Sequence, residues 1–445
     1  CALRRQLCQT AIPQSRSSPR SLASNLSLFT DMSALTESSE ATEGASWPPR
    51  PDERFAAHGP QVWFPDEHGV VRKETQMNKV TYVGLDVHKD KIAVAVADDG
   101  RGGEIRFFGT IAHTADSVLR LTKQLVAAGR TPSFCYEAGP CGYGLHRHLT
   151  KLGFECAVVS PAMIPRKAGD RVKTDRRDAE MLARLWRAGE LTPIWTPDEE
   201  QEAMRDLIRT RKQAMDAVKV AKQQLLSFLL RHGLRYENGS YWTKRHRRWL
   251  AELRRFRFSY QQLAFEELKR AVDQAEARVA TLDQAIDEAV QDWRFSPVVD
   301  ALRALRGVNT IIAATVVAEI GDITRFENPR QLMAWLGLVP SEHSSGSTTR
   351  RGRLTKTGNA LARTMLVEAG WSYRHPPKEG QPYLKRSAHL PQEIKDIGWK
   401  AQTRLCKRFR HLSNTGKPQP RVLAAIAREL AGFIWDIARK TPLPA

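Results

Sequence analysis

Long hydrophobic runs are missing from these 445 residues: Ile311–Ala318 is among the longest, far short of the ~18 residues that a membrane span needs. A helical membrane-spanning protein is excluded. Cysteine is sparse, and the six present (Cys1, Cys8, Cys135, Cys141, Cys156, Cys406) show neither a CxxC pair nor Cys/His ligand spacing. That argues against a structural zinc site or a disulfide scaffold, and it fits a reducing cytoplasm. Acidic residues are in short supply: 49 Asp and Glu face 69 Lys and Arg, a net charge of +20. Apolar content of 41% is nonetheless ordinary for a globular chain, so the whole is neither disordered nor fibrous, and the length suits several domains.

The charge is unevenly spread. Residues 1–76 carry eight Lys and Arg against nine Asp and Glu, which leaves +21 for the rest. So large a localised charge points to a polyanion as partner, since acidic residues would serve solubility as well. Residues 1–76 are rich in Ser, Pro and Gly, lack any helical or strand period, and are expected to be disordered or a non-native extension. Arg4–Arg20 has the Arg- and Ser-rich look of a transit peptide, but periodic order begins just after Met77, which is the expected natural start.

From there the pattern is that of a sheet. Val80–Val87 and Lys91–Ala97 are alternating and β-branched, Gly103–Ile111 reads as a third strand, and Ala115–Ala128 has helical period. Ser133–Glu137 is a strand, Gly144–Leu152 a helix, Glu155–Ser160 a strand and Arg176–Arg187 a helix. The order βββαβαβα predicts a ribonuclease-H-like sheet, a three-stranded meander followed by parallel strands. Carboxylates fall at its strand and helix ends. Asp86 interrupts an apolar strand, where a lone charge is costly unless paired or metal-bound. Glu137 ends SFCYE, and Asp175 and Asp178 stand i and i+3 at a helix start, where capping or the helix dipole would also favour them. Four hard oxygen donors together suit Mg²⁺ in phosphoryl transfer.

Long helices follow. Phe265, Leu268, Val272, Ala275, Val279, Leu282, Ile286 and Ala289 make a heptad seam. Met204, Leu207, Arg211, Ala214, Val218, Ala221, Leu225 and Phe228 repeat it with one charged interruption, predicting a coiled-coil hairpin or a seam across a dimer. Between them a basic stretch (Arg245, Arg247, Arg248, Arg254, Arg255) alternates with rings such as Trp249, as binding of unpaired RNA or DNA bases requires. Leu302–Gly321 reads as a helix-hairpin-helix whose turn amides could take a DNA phosphate. A loop then places Ser344, Ser345 and Gly346 among Arg350, Arg351, Arg353, Lys356 and Arg363. A serine beside glycine among cations is a candidate nucleophile on phosphorus, though such a loop can also simply bind phosphate.

The runs GLDVHKDK, YEAGPCGYGLHRHL, KTDRRDAEMLA and AWLGLVPSEHSSG…RGRLTKTGNALAR, in this order, resemble the DEDD transposases of bacterial insertion sequences, the insertion sequence 110 family. The resemblance covers Met77 to about residue 375. It implies an acidic tetrad at Asp86, Glu137, Asp175 and Asp178 and a nucleophilic serine at Ser345 rather than Ser344. It also implies a transient phosphoserine link to DNA, Mg²⁺ as cofactor, a bridge RNA that selects donor and target, and a homodimer or tetramer. The expected organisation is α/β plus all-α: a RuvC-like (ribonuclease-H-like) nuclease domain at 77–200, a helical coiled-coil region at 201–295, a helical transposase domain at 296–390, and a helical tail at 391–445. Three rivals stay open on the residues: a Holliday-junction-type nuclease in which water attacks, a non-catalytic nucleic-acid scaffold whose acids diverge, and an actin-like ATPase, which lacks its second Gly-rich phosphate loop.

Overall fold

The structure, a computed structural model, describes residues 79–100, 102–165, 174–253, 256–346 and 348–443. The expectations for residues 1–76, and Arg254 and Arg255 of the basic stretch, lie outside the described residues. The chain forms two compact units, one ending at Ala289 and the other running from Val290.

The first unit opens with β1 (Lys79–Val87), β2 (Lys91–Asp98), β3 (Ile105–Ala112), α1 (Ala115–Ala127), β4 (Arg130–Glu137), α2 (Gly144–Lys151), β5 (Glu155–Val159) and α3 (Asp175–Arg187). The sheet order is β3-β2-β1-β4-β5; β1, β2 and β3 form an antiparallel meander, and β4 and β5 run parallel to β1. This mixed sheet has the strand order expected of a ribonuclease-H-like domain.

The alternation in β2 decides which helix covers which face. Ile92, Val94 and Val96 join one core with Val83 and Leu85 of β1, Phe134 and Tyr136 of β4, and Val118, Leu121 and Leu125 of α1. Ala93, Ala95 and Ala97 point the other way and meet Ala179 and Ala183 of α3. Small side chains on both surfaces let α3 lie close to the sheet. The approach is closest at Gly84, where a Cβ would stand 2.3 Å from the Ala179 carbonyl oxygen and 2.4 Å from the Ala183 nitrogen. The far end of α3 is tied down as well. The Trp186 indole donates to Ser133 Oγ at 2.8 Å, and the Arg187 guanidinium donates to the carbonyls of Asp98 and Gly103 at 3.1 and 2.7 Å.

Three helices complete this unit's described part: α4 (Glu199–Arg231), α5 (Lys244–Glu252) and α6 (Ser259–Asp292), which continues just past the unit boundary. Every seam position named above is buried or half-buried. Arg211 of α4 pairs with Asp283 of α6, and Lys222 with Glu276 at 2.6 Å. As the α4 number rises the α6 number falls, so the two helices run antiparallel. Ala221, Leu225, Phe228, Phe265 and Val272 share one apolar cluster with Leu250 and Leu253, the latter just past α5. The charged interruption at Arg211 is thus matched by an acid on the facing helix.

The second unit contains α7 (Ser296–Leu302), α8 (Thr310–Ile320), α9 (Pro329–Trp335), a hairpin of β6 (Pro340–Glu342) and β7 (Arg351–Leu354), α10 (Ala360–Gly370), α11 (Gln381–Ser387), α12 (Gln392–Asn414) and α13 (Gln419–Lys440). All residues from Ala313 to Ile320 are buried, so α8 is the central helix of this unit. Residues 303–309 join α7 to α8, and Asn309 caps α8 by accepting from the Ile312 amide at 2.9 Å. Val422, Ile426, Leu430 and Ile434 give α13 a buried stripe at four-residue spacing. The end of α10 at Gly370 lies beside Leu423 and Ile426, and Gly398 brings α12 onto the Ala304 carbonyl. The last two long helices are therefore part of this core.

Candidate active site

The closeness of α3 to Gly84 sets the geometry. Asp175 and Asp178 lie in the first turn of α3, just ahead of Ala179 and Ala183, while Asp86 lies two residues beyond Gly84. The helix start therefore overhangs the C-terminal end of β1. Thr174 takes the N-cap role, its hydroxyl accepting from the Arg177 amide at 3.3 Å. The Asp175 carboxylate is left to reach the β1–β2 turn.

There it meets two residues that the sequence pattern does not single out. His88 Nε2 stands 3.1 Å from Asp86 Oδ2 and 3.5 Å from Asp175 Oδ1. Lys91 donates to Asp175 Oδ2 at 2.7 Å. This bond to Lys91 holds the Asp175 carboxyl below the usual carboxylate range, and the same bond raises the Lys91 ammonium. The turn is pinned from behind, where His113 Nδ1 donates to the His88 carbonyl at 2.8 Å. His88 and Lys91 belong to the run GLDVHKDK, so the signal is present as a histidine and a lysine beside an acid, a pattern that reads equally as a solvated turn.

Glu137 ends the neighbouring strand. The β1–β4 register runs from Lys79 opposite Arg130 to Leu85 opposite Tyr136, so Asp86 and Glu137 are the next matched positions. Alternation puts Glu137 on the face of Cys135, which is buried against Leu182 of α3. Asp86 shares that face through Gly84. Asp178 is half-buried in the same first helical turn.

Donor atoms of Asp86, His88 and Asp175 all lie within 4.8 Å of one another. Ligands around a single divalent ion at about 2.1 Å fall within such a span. The carboxylate oxygens of Asp86 and Asp175 are hard donors, and His88 adds an imidazole nitrogen. The donor set therefore suits a divalent metal.

In the second unit, Ser345 sits at the tip of the β6–β7 hairpin. Its amide donates to the Thr348 carbonyl, and the Thr348 amide to the Ser345 carbonyl, both at 3.1 Å. Gly346 follows with φ +57°, a conformation that favours glycine and turns the chain sharply. Ser344 and Ser345 differ in what their hydroxyls do. Ser344 Oγ donates to Glu342 Oε1 at 2.8 Å, while the Ser345 side chain is exposed with no hydrogen bond among the described residues.

The basic candidates divide into two groups. Arg245 and Arg248 of α5 are exposed, as are Arg350, Arg351, Arg353 and Lys356 around the hairpin. Arg247 instead grips Glu276 with two contacts of 2.8 Å, and Trp249 stacks on buried His246, ring centroids 5.6 Å apart, and also touches Tyr236. Arg363 is half-buried and donates to the carbonyls of Leu336 and Thr357 at 2.8 and 3.0 Å, which holds the loop before α10. Arg254 and Arg255 are outside the described residues. Among the described residues, no helix is long and apolar enough to cross a membrane.

Two sequence families match this chain. One, described as a transposase family of DEDD type, covers residues 83–233; the other, described as the transposase IS116/IS110/IS902 family, covers residues 299–385. The chain is 50% identical over 359 residues to a putative transposase, y4qE, of Sinorhizobium fredii, spanning 81% of this chain and 88% of that protein. It is 32% identical to the transposase for insertion sequence element IS1533 of Leptospira borgpetersenii, over 76% of this chain and 97% of that one. A probable family 20 transposase of Pseudomonas aeruginosa is 28% identical over 64% of this chain and 81% of its own length.

Proposed function

This chain belongs to the IS116/IS110/IS902 family of transposases and is a DNA transposase, and from that premise we propose that it cuts and exchanges strands through a covalent serine–DNA intermediate. Asp86, Glu137, Asp175 and Asp178 would hold Mg²⁺, and Ser345 is the nucleophile. The observation that carries the acidic half is the meeting of Asp86 and Asp175 within reach of one ion at the end of β1. The observation that favours Ser345 over Ser344 is its exposed, uncommitted hydroxyl before Gly346.

Bound Mg²⁺ supplies positive charge that offsets the negative charge building on the phosphate oxygens in the transition state. The protein's own residues do the rest. Ser345 Oγ bonds to phosphorus as one P–O bond of the strand breaks; the serine proton leaves to a base, and the departing oxygen takes a proton from that base or from water to end as a free hydroxyl. Exposed Arg350, Arg351 and Arg353 hold the scissile region by its phosphates and stabilise the charge on them. Exposed Arg245 and Arg248 on α5 belong to a surface for a structured guide RNA, whose pairing selects donor and target of an insertion element. The working form is a homodimer or tetramer, since exchange handles two duplexes at once.

The test is the intermediate itself. Full-length protein incubated with Mg²⁺, its guide RNA and element-end DNA is expected to yield a denaturation-resistant protein–DNA adduct, mapped by mass spectrometry to Ser345. Cleaved DNA with no adduct would replace this reading with a nuclease in which water attacks.

A further inference from the structure

A cation-lined cavity of about 490 Å³ lies wholly within the second unit, and none of its lining belongs to the Ser345 hairpin. Four cations line it: Arg306 from the turn after α7, Arg374 and Lys378 from the segment after α10, and Arg386 from α11. His375 adds an imidazole ring, and among the described residues no carboxylate is in the wall. Gly307 shapes one wall of it. Its φ is +80°, and a Cβ there would strike the Ala369 carbonyl and the Ser372 side chain at 2.6 Å, so only glycine lets this turn close against the end of α10.

The cations lack counter-charges among the described residues. Arg306 donates to neutral acceptors, the Pro376 carbonyl at 2.7 Å and Gln402 Oε1 at 3.0 Å. Arg386 is half-buried with its Nε shielded from water and without a partner, and the Tyr383 hydroxyl is in the same condition. Burial, and then the nearby charge of Arg303, press the Arg386 pKa downward. Asp300 bonds Arg303 and His389, while Glu379 and Asp396 line an adjoining cleft on the other side of Tyr383, and no ion pair joins either to the four cations among the described residues. Burying a guanidinium among like charges is costly unless an anion repays it.

We propose that this cavity takes a backbone phosphate of a nucleic-acid strand, held by Arg306, Arg374, Lys378 and Arg386. The volume accommodates a nucleotide-sized group, larger than a lone inorganic anion needs. The wall also carries the rings of Trp371 and Tyr383, and aromatic faces beside cations are how proteins hold unpaired strands. The assignment rests on the chain's action on nucleic acid. It does not depend on Ser345 being the nucleophile.

Binding of labelled single-stranded DNA and of RNA of the same sequence, measured by fluorescence anisotropy across a salt series, tests it apart from catalysis. The full-length protein is compared with Arg386→Gln, Lys378→Gln and Arg386→Lys. Affinity is expected to fall severalfold in the two glutamine variants, with the slope of log K against log salt shallower by about 0.7 for each phosphate no longer held. Arg386→Lys, which keeps the charge, should recover part of the affinity. Weakening with only one of the two strands identifies which strand the cavity holds. Lys378 is exposed, so its variant keeps the test informative even if Arg386→Gln folds poorly. Unchanged affinity and slope for both strands in Lys378→Gln with an unaltered melting profile would overturn the proposal. Ser345→Ala is expected to bind like the parent protein, so a failed nucleophile assignment leaves this result unaffected.

Discussion

Gly84 and Ala179 are in backbone contact: a methyl group on Gly84 would lie 2.3 Å from the Ala179 carbonyl oxygen, closer than any real Cβ approaches backbone. The absence of a side chain on β1 is what lets the first turn of α3 reach the end of the strand. Gly84→Ala is therefore expected to push α3 off the sheet and to cost about 1–3 kcal/mol, the range of overpacked cores. Urea unfolding would measure the loss. DNA cleavage should fall further than stability does, because Asp175 moves with the helix. Wild-type stability in this variant would show that α3 is not held as described.

Asp86 is the strand residue on which the candidate metal centre is built. Asp86→Asn keeps the shape of the side chain and removes the charge that faces His88. Strand cleavage is expected to fall by at least about a hundredfold, in line with losing a group that acts on the transition state. Chelation by EDTA should stop cleavage in the parent protein, and added Mg²⁺ should restore it. Gel-shift affinity for DNA should change little, since the exposed arginines are untouched. Full cleavage in the presence of EDTA would remove the metal from the reaction.

Much of this is legible in the sequence, and the exceptions have physical causes. The alternation of Ala and Val in β2 states both that the segment is a strand and that its two faces meet different partners. The order of elements determines the meander and the parallel strands because short connections leave few ways to arrange them. The 3,4 spacing in α4 and α6 announces a seam, yet cannot say whether it closes within one chain. That depends on how the flanking charges line up, as Arg211 does with Asp283. His88 and Lys91 do not stand out because their role exists only once α3 overhangs the turn. Composition also cannot tell the inner from the outer face of a nine-residue helix. Arg247 and Trp249 are packed against Glu276 and His246, while Arg245 and Arg248 face water.

His246 gives the first unit a dependence on pH. The ring is fully buried, its Nδ1 accepts from the Trp242 amide at 3.1 Å, and Nε2 has no partner among the surrounding rings. Burial, then the charge of Arg247, lowers its pKa. The unfolded chain, with an ordinary value of about 6.5, then binds a proton more readily than the folded one. Stability is fully present above that value and falls as pH drops through it, at up to about 1.4 kcal/mol per pH unit, levelling below the folded pKa. Tryptophan fluorescence in urea at pH 7.5 and 5.5 should show the acid loss, and His246→Gln should show a smaller one. Equal sensitivity in both proteins would assign the effect to other groups.

Ser345 and Ser344 are adjacent, and the structure makes opposite predictions for them. The Ser344 hydroxyl is spent on Glu342 at the loop end of β6, and Glu342 also faces Arg351 at 3.8 Å. Ser344→Ala removes one exposed hydrogen bond, worth about 0.5–1.5 kcal/mol at most, and should slow exchange only modestly. Ser345→Ala leaves every hydrogen bond described for the hairpin in place, because those of Ser345 are made by its backbone to Thr348. Its effect should therefore be chemical: no adduct, no strand exchange, and undiminished affinity for DNA and RNA. A serine that only bound phosphate would give another pattern, with weaker DNA binding in Ser345→Ala and exchange reduced in the same proportion. Near-normal exchange by Ser345→Ala would leave the acidic centre as the whole catalytic apparatus, with water in the place of the serine.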